Sequence, residues 1–149
     1  MNITTKFHGE QEIKKDDILT FETGIPGFLE EKKFCILPLE DSPFYVLQST
    51  KSKNTAFIMA DPFTFFKEYE FDLADEVMEN LEIQSNEHVA VFVILTIREP
   101  FNETTANLQA PIIINTKGLL GKQYIINRGA YTTRHKIISS SERNNEVGL

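Results

Sequence analysis

The sequence predicts a mainly β fold: one barrel-like domain of mostly antiparallel strands over residues 1–138, with one or two short helices and a flexible tail at 139–149. Three observations predict it. Residues 89–97, VAVFVILTI, are nine residues without charge, Gly or Pro, mostly β-branched or aromatic, which suits a pleated strand better than a helix. A strand apolar on both faces is covered on both, so it should be central. Short apolar or alternating runs recur about every ten residues with turn signals between them, the pattern of a sandwich or barrel. Finally, the two stretches that suit helices are short, whereas βαβ units would place long amphipathic helices between strands.

Taken in order, residues 3–7 and 18–21 read as strands, with turns at Gly9–Glu10 and at residues 14–17. In Gly24-Ile25-Pro26-Gly27-Phe28, Pro26 fixes its own φ and Gly27 suits the positive φ of a type II turn. Gly24, Pro26, Gly27 and Phe28 are therefore read as a rigid structural loop. Its apolar side chains, Ile25 and Phe28, either plug the end of the core or face a partner, and the plug is the expectation adopted. Strands follow at 34–37, stopped by Pro38, at 44–48 and at 56–60. Asp61-Pro62 opens a short helical turn to about residue 67, with Asp61 as N-cap and Pro62 at the first helical position. A second helix is predicted over 72–81, capped by Asp72. Leu73, Val77 and Leu81 recur at i, i+4 and i+8, giving one apolar and one acidic face. After the 89–97 strand and a polar loop broken by Pro100, strands are expected at 111–115 and 123–127, flanking the central strand and joined by a turn at 117–122. Gly129 turns the chain toward a last strand near 135–138.

The composition is 41% hydrophobic and 25% charged, with 12 Phe and no Trp. No apolar window reaches the roughly 18 residues a membrane helix requires. The opening MNITTKFHGEQE has no apolar signal segment, so export is not expected. Cys35, the single cysteine, lies within an apolar run and reads as a buried thiol in a cytosolic protein. The net charge is −7. Residues 67–87 alone account for it, with Glu68, Glu70, Asp72, Asp75, Glu76, Glu79, Glu82 and Glu87 against Lys67. Direct nucleic-acid binding is disfavoured, because phosphates demand a basic footprint. A basic protein partner is favoured, unless the acidic stretch is simply a solvated helix face.

No Walker loop, GxGxxG or G-x-S-x-G motif is present. His8, His88 and His135 are far apart in sequence and form no short-spaced zinc pair. Cys35 is flanked by apolar strand residues, the wrong surroundings for a thiolate nucleophile. No cofactor, metal or catalytic residue is therefore assigned. The alternative, a small-ligand or enzymatic barrel, would need a concave pocket with converging polar groups.

Gly24-Ile25-Pro26-Gly27-Phe28, Leu37-Pro38, Pro43-Phe44, Leu47-Gln48-Ser49, Asp61-Pro62 and Asn107-Leu108-Gln109-Ala110-Pro111-Ile112 together resemble the bacterial flagellar assembly factor family, FliW. The likeness runs from about Ile3 to Ile138. It implies a small cytoplasmic, non-enzymatic β-barrel-like protein. Its implied partners are flagellin and the carbon storage regulator, a dimeric RNA-binding repressor of translation. Flagellin would occupy the factor until exported, and the freed factor would then relieve repression of flagellin synthesis; the resemblance favours an allosteric route. Asp75, Glu76, Glu79 and Glu82 are the expected outward, partner-contacting residues. Asn107 represents the other candidate surface, at residues 102–111.

Overall fold

The computed structural model describes residues 1–127 and 131–138; the expected tail at 139–149 and the turn at Gly129 lie outside the described residues. A hairpin of β1 (Asn2–Thr4) and β2 (Glu10–Glu12) opens the chain. An antiparallel meander follows: β3 (Leu19–Thr20), β4 (Lys33–Pro38), β5 (Tyr45–Ser49) and β6 (Ala56–Ala60). Then come α1 (Pro62–Phe65) and α2 (Asp75–Asn80). The last strands are β7 (Val89–Thr96), β8 (Thr105–Ala106), β9 (Ile112–Asn115), β10 (Leu120–Gln123) and β11 (His135–Lys136).

Seven strands close on themselves in the order β7-β6-β5-β4-β3-β10-β9, with β9 returning to β7. The mainly β, barrel-like expectation holds. Closure rests on one parallel contact, Leu120 beside Thr20, where the Thr20 N–H donates to the Leu119 carbonyl at 2.9 Å. The other barrel pairings are antiparallel.

β7 is central and covered on both sides, as its composition requires. Ala90, Phe92 and Ile94 pack against a cluster containing Phe21, Ile25, Phe34, Leu47, Met59, Ile112 and Ile114. The alternate residues face other layers: Val89 and Val91 meet Val77, Leu81 and Ile83 of the α2 region, and Val93 and Leu95 meet Tyr69 and Leu108. Its neighbours, however, are β9 and then β8 along one edge and β6 along the other, not β9 and a strand at 123–127. The hairpin after β9 is tighter than residues 117–122 suggest. The Asn115 carboxamide oxygen accepts from the Lys117 and Gly118 N–H groups at 3.0 and 2.9 Å, so the return ladder starts at Leu120. That brings β10 to the far side of β9 and leaves the second edge of β7 to β6.

The outer face of β4 is covered by the first hairpin, where Ile3 and Ile13 pack on Cys35. Burial, helped by the Asp17 charge, pushes the Cys35 thiol up to about 11, so it stays protonated and inert at neutral pH.

The helices are shorter than periodicity suggests. Asp61 does cap α1, its side chain accepting from the Phe63 N–H at 2.9 Å. α2 begins only at Asp75, with Ala74 at the N-cap and no side-chain cap; Asp72 does not serve. Phe71 and Leu73 are drawn into the cluster beneath α2, and the Asp72 carbonyl accepts from the Tyr124 hydroxyl at 3.4 Å. Those contacts hold residues 72–74 out of the helix. Within the expected polar loop after β7, a 3-10 turn at Phe101–Glu103 and the short strand β8 are formed.

Candidate partner-binding surface

α2 lies over β7 and β9 because one of its faces is apolar. Val77 and Leu81 are buried with Ile83 and Ile113, and Leu73 and Met78 are partly covered. The remaining positions, Asp75, Glu76, Glu79 and Asn80, are exposed, as is Glu82 just beyond the helix. None of these four carboxylates has an ion-pair partner among the described residues. The acids in the first turn suit the helix dipole, and all four project an unneutralised field outward.

Six residues make a helix too short to persist alone, so its ends are held from outside. At the C-terminus, the Ile83 N–H donates to the Met78 carbonyl at 2.9 Å and the Glu82 N–H to Glu79 at 3.0 Å. This Schellman closure puts Glu82 at φ 56°, where glycine is the low-strain residue. The next two carbonyls, Leu81 and Glu82, accept from the Asn115 side-chain nitrogen at 2.8 and 3.2 Å. Asn115 thus uses both ends of its buried carboxamide, fastening α2 to the β9–β10 hairpin. Periodicity missed it; an Asn ahead of Thr-Lys-Gly is the Asx-turn signal that would have found it.

Asn107 is not brought to this surface by any contact. Its N–H donates to the Ile94 carbonyl at 2.9 Å, and its side-chain oxygen accepts from the Ala110 N–H at 3.0 Å. The first bond continues the β8–β7 pairing and the second serves the turn into β9.

The Gly24–Phe28 loop divides its two apolar side chains. Ile25 is buried in the barrel cluster. Phe28 stays 42% exposed, its ring edge-on to Phe57 at 5.1 Å between centroids. Gly27 takes φ +87° in the turn closed by the Phe28 N–H on the Ile25 carbonyl at 2.6 Å. Gly24 takes φ +69°, and a Cβ there would lie 2.6 Å from the Leu29 carbonyl oxygen. The two glycines should therefore respond differently to alanine. Gly27→Ala meets only the left-handed penalty, about 1 kcal/mol, because no atom lies within 4 Å of the new Cβ. Gly24→Ala adds a clash with backbone and should cost about 2 kcal/mol or more in urea unfolding. Equal losses for the two variants would mean that the Leu29 contact is not a constraint.

The barrel interior is filled by side chains: Phe21, Phe34, Leu47, Met59 and Ile112 are all fully buried. A small-ligand barrel would need that space. The recesses described lie outside it. One of about 170 Å³ is lined by Thr20, Glu22, Asn80 and Lys122, and an open one of about 530 Å³ by Glu82, Ser85, His88 and Lys117. Among the described residues, no group of three or more His, Cys, Asp or Glu side chains could hold a metal ion, and no helix is long and apolar enough to cross a membrane.

Comparison with known proteins agrees with this architecture. The profile of the FliW protein family matches residues 2–137. The flagellar assembly factor FliW of Bacillus subtilis (strain 168) is 55% identical over 138 residues, 92% of this chain and 96% of that protein. The flagellar assembly factor FliW of Geobacillus thermodenitrificans (strain NG80-2) is 52% identical over 137 residues, 92% of this chain and 95% of its own. A crystal structure of the flagellar assembly factor FliW superposes with a TM-score of 0.91 at 48% identity, covering 94% of this chain and 99% of that one. With its family profile matched almost end to end, and its fold matched as closely, the chain belongs to the FliW family of flagellar assembly factors.

Proposed function

We propose that the protein works in the cytoplasm as a non-enzymatic switch, binding flagellin in one state and the carbon storage regulator in the other. Flagellin that accumulates before export occupies the factor. Once flagellin leaves, the factor takes up the regulator and translation of flagellin resumes. The observation that carries the regulator half is the set of four outward, unpaired carboxylates on and beside α2. An RNA-binding repressor must present basic surface to phosphates, so an acidic face is its physical complement. One of those carboxylates, on Glu82, is held at a left-handed position.

Charge of this kind acts chiefly on the rate of encounter, while buried apolar contacts hold the complex. Reversing Glu76 and Glu79 together to Lys should slow association with the regulator several-fold at low salt and leave the fold intact. The difference should shrink at about 0.5 M salt, where the Debye length falls well below its physiological value of about 8 Å. Stopped-flow kinetics at two salt concentrations tests this. Identical low-salt on-rates for parent and double variant would end the α2 proposal. Flagellin binding measured in the same preparation reports separately on the switch.

A further inference from the structure

Three phenylalanines from three separate segments meet on the outside of the barrel. Phe44 precedes β5, Phe65 ends α1 and Phe101 opens the 3-10 turn after β7. The Phe44 ring stacks on Phe65 at 5.8 Å and lies 6.0 Å from Phe101. Phe44 and Phe65 are half-buried, resting on the cluster that contains Ala60 and Val93, and Phe101 is 42% exposed. Single exposed apolar side chains are ordinary on a surface; contiguous rings on a packed footing mark a contact site. The footing matters, because rings already fixed in place lose little freedom when a partner covers them.

The surrounding charge says what that partner is. Within four residues of the three rings the chain carries six acidic side chains, Glu40, Asp41, Asp61, Glu68, Glu99 and Glu103, against Lys67 and Arg98. Glu103 is bridged to Lys136 at 3.1 Å, which leaves the rim acidic. A second copy of the chain is disfavoured, since a two-fold contact lays a patch on itself and would bring like charges together. The rings stand on the outside of the sheet, where β5 is paired along both edges by β4 and β6. An extended segment crossing β5 would find no open edge, the free edge of the sheet being at β11, and its own backbone groups would be left against phenyl rings. A helix satisfies its backbone internally.

We infer that the Phe44–Phe65–Phe101 surface docks a basic amphipathic helix, with aliphatic residues on the rings and Lys or Arg against the acidic rim. This assigns an apolar anchor to the protein-binding role proposed above and rests on that reading for its physiological occupant. It does not depend on the α2 face.

The test uses the intact protein and two synthetic peptides of identical composition. One is a helix-forming Leu/Lys peptide with Leu on one face; the other is its scramble without a common apolar face. The expected result is that the amphipathic peptide binds the parent and shifts the ring resonances of Phe44 and Phe101. Phe101→Ala should weaken it by about tenfold or more, as loss of a central aromatic anchor does. Glu40→Lys with Glu99→Lys should slow its association at low salt. Phe101 is exposed, so an unchanged urea midpoint for its variant is the fold control. Failure of the amphipathic peptide to bind, equal binding by the scramble, or equal affinity for parent and Phe101→Ala overturns the proposal. Purified flagellin and regulator are titrated alongside. If neither binds the parent, the proposed function fails, and the peptide result still decides whether the surface docks a helix.

Discussion

Replacing Phe34 by Ala should cost about 3–5 kcal/mol, the loss expected when a large buried ring is removed and its cavity remains. Phe34 has no exposed surface and sits at the centre of the barrel. Its ring meets Phe21 edge-on at 5.2 Å and Phe57 at 6.4 Å, so the variant forfeits these aromatic contacts together with the burial. Phe21 and Ile25 share the cluster, and Ile25 belongs to the loop that enters the barrel, which links the cavity to that loop. Urea unfolding is the measurement; a loss below about 1 kcal/mol would place Phe34 in surroundings that collapse onto the gap. Since whole domains are stable by only about 5–15 kcal/mol, this one change can remove a large share of the total.

Asn115→Ala should cost about 3–4 kcal/mol, because four hydrogen bonds of roughly 1 kcal/mol each are lost and the buried Leu81 carbonyl is left without its partner. The bonds lost are those to the Lys117 and Gly118 N–H groups and to the Leu81 and Glu82 carbonyls. The effect should also be local. With its C-terminal tie gone, α2 should exchange its amide hydrogens faster than β7 does. On the proposed function, the on-rate for the regulator should then fall although every carboxylate is retained. Unchanged exchange in α2 would show that apolar docking alone holds the helix.

The central strand was legible because both its faces are covered, which leaves an uninterrupted apolar run in the sequence. The meander from β3 to β6 was legible through turn residues between short runs. What the run could not indicate was depth. Phe92, at its middle, is half-buried beside Tyr45, with ring centroids 5.4 Å apart, whereas Phe34 in a less conspicuous run is fully enclosed. The β2 segment Glu-Gln-Glu carries no strand signal in the sequence because it is polar and its partner is a single strand. α2 starts later than the Asp72 capping signal implies because tertiary packing of Phe71 and Leu73 overrides a good capping residue. The outward direction of Asp75, Glu76 and Glu79 follows from helical period alone. Asn115 and the three meeting phenylalanines do not, since each depends on segments distant in sequence.

The seam between Thr20 and Leu120 has a consequence for how the molecule is made. These residues are a hundred positions apart, so the barrel cannot close until most of the chain has left the ribosome. Until then β3 has β4 on one side and an unpaired edge on the other, a template for pairing with any other strand. Long-range closure of this kind is slow compared with local turn formation. Because β3 is only two residues long, the edge left waiting is small, and a short edge is a poor template for aggregation. Closure thus joins the beginning of the chain to its final third through the narrowest contact the barrel has.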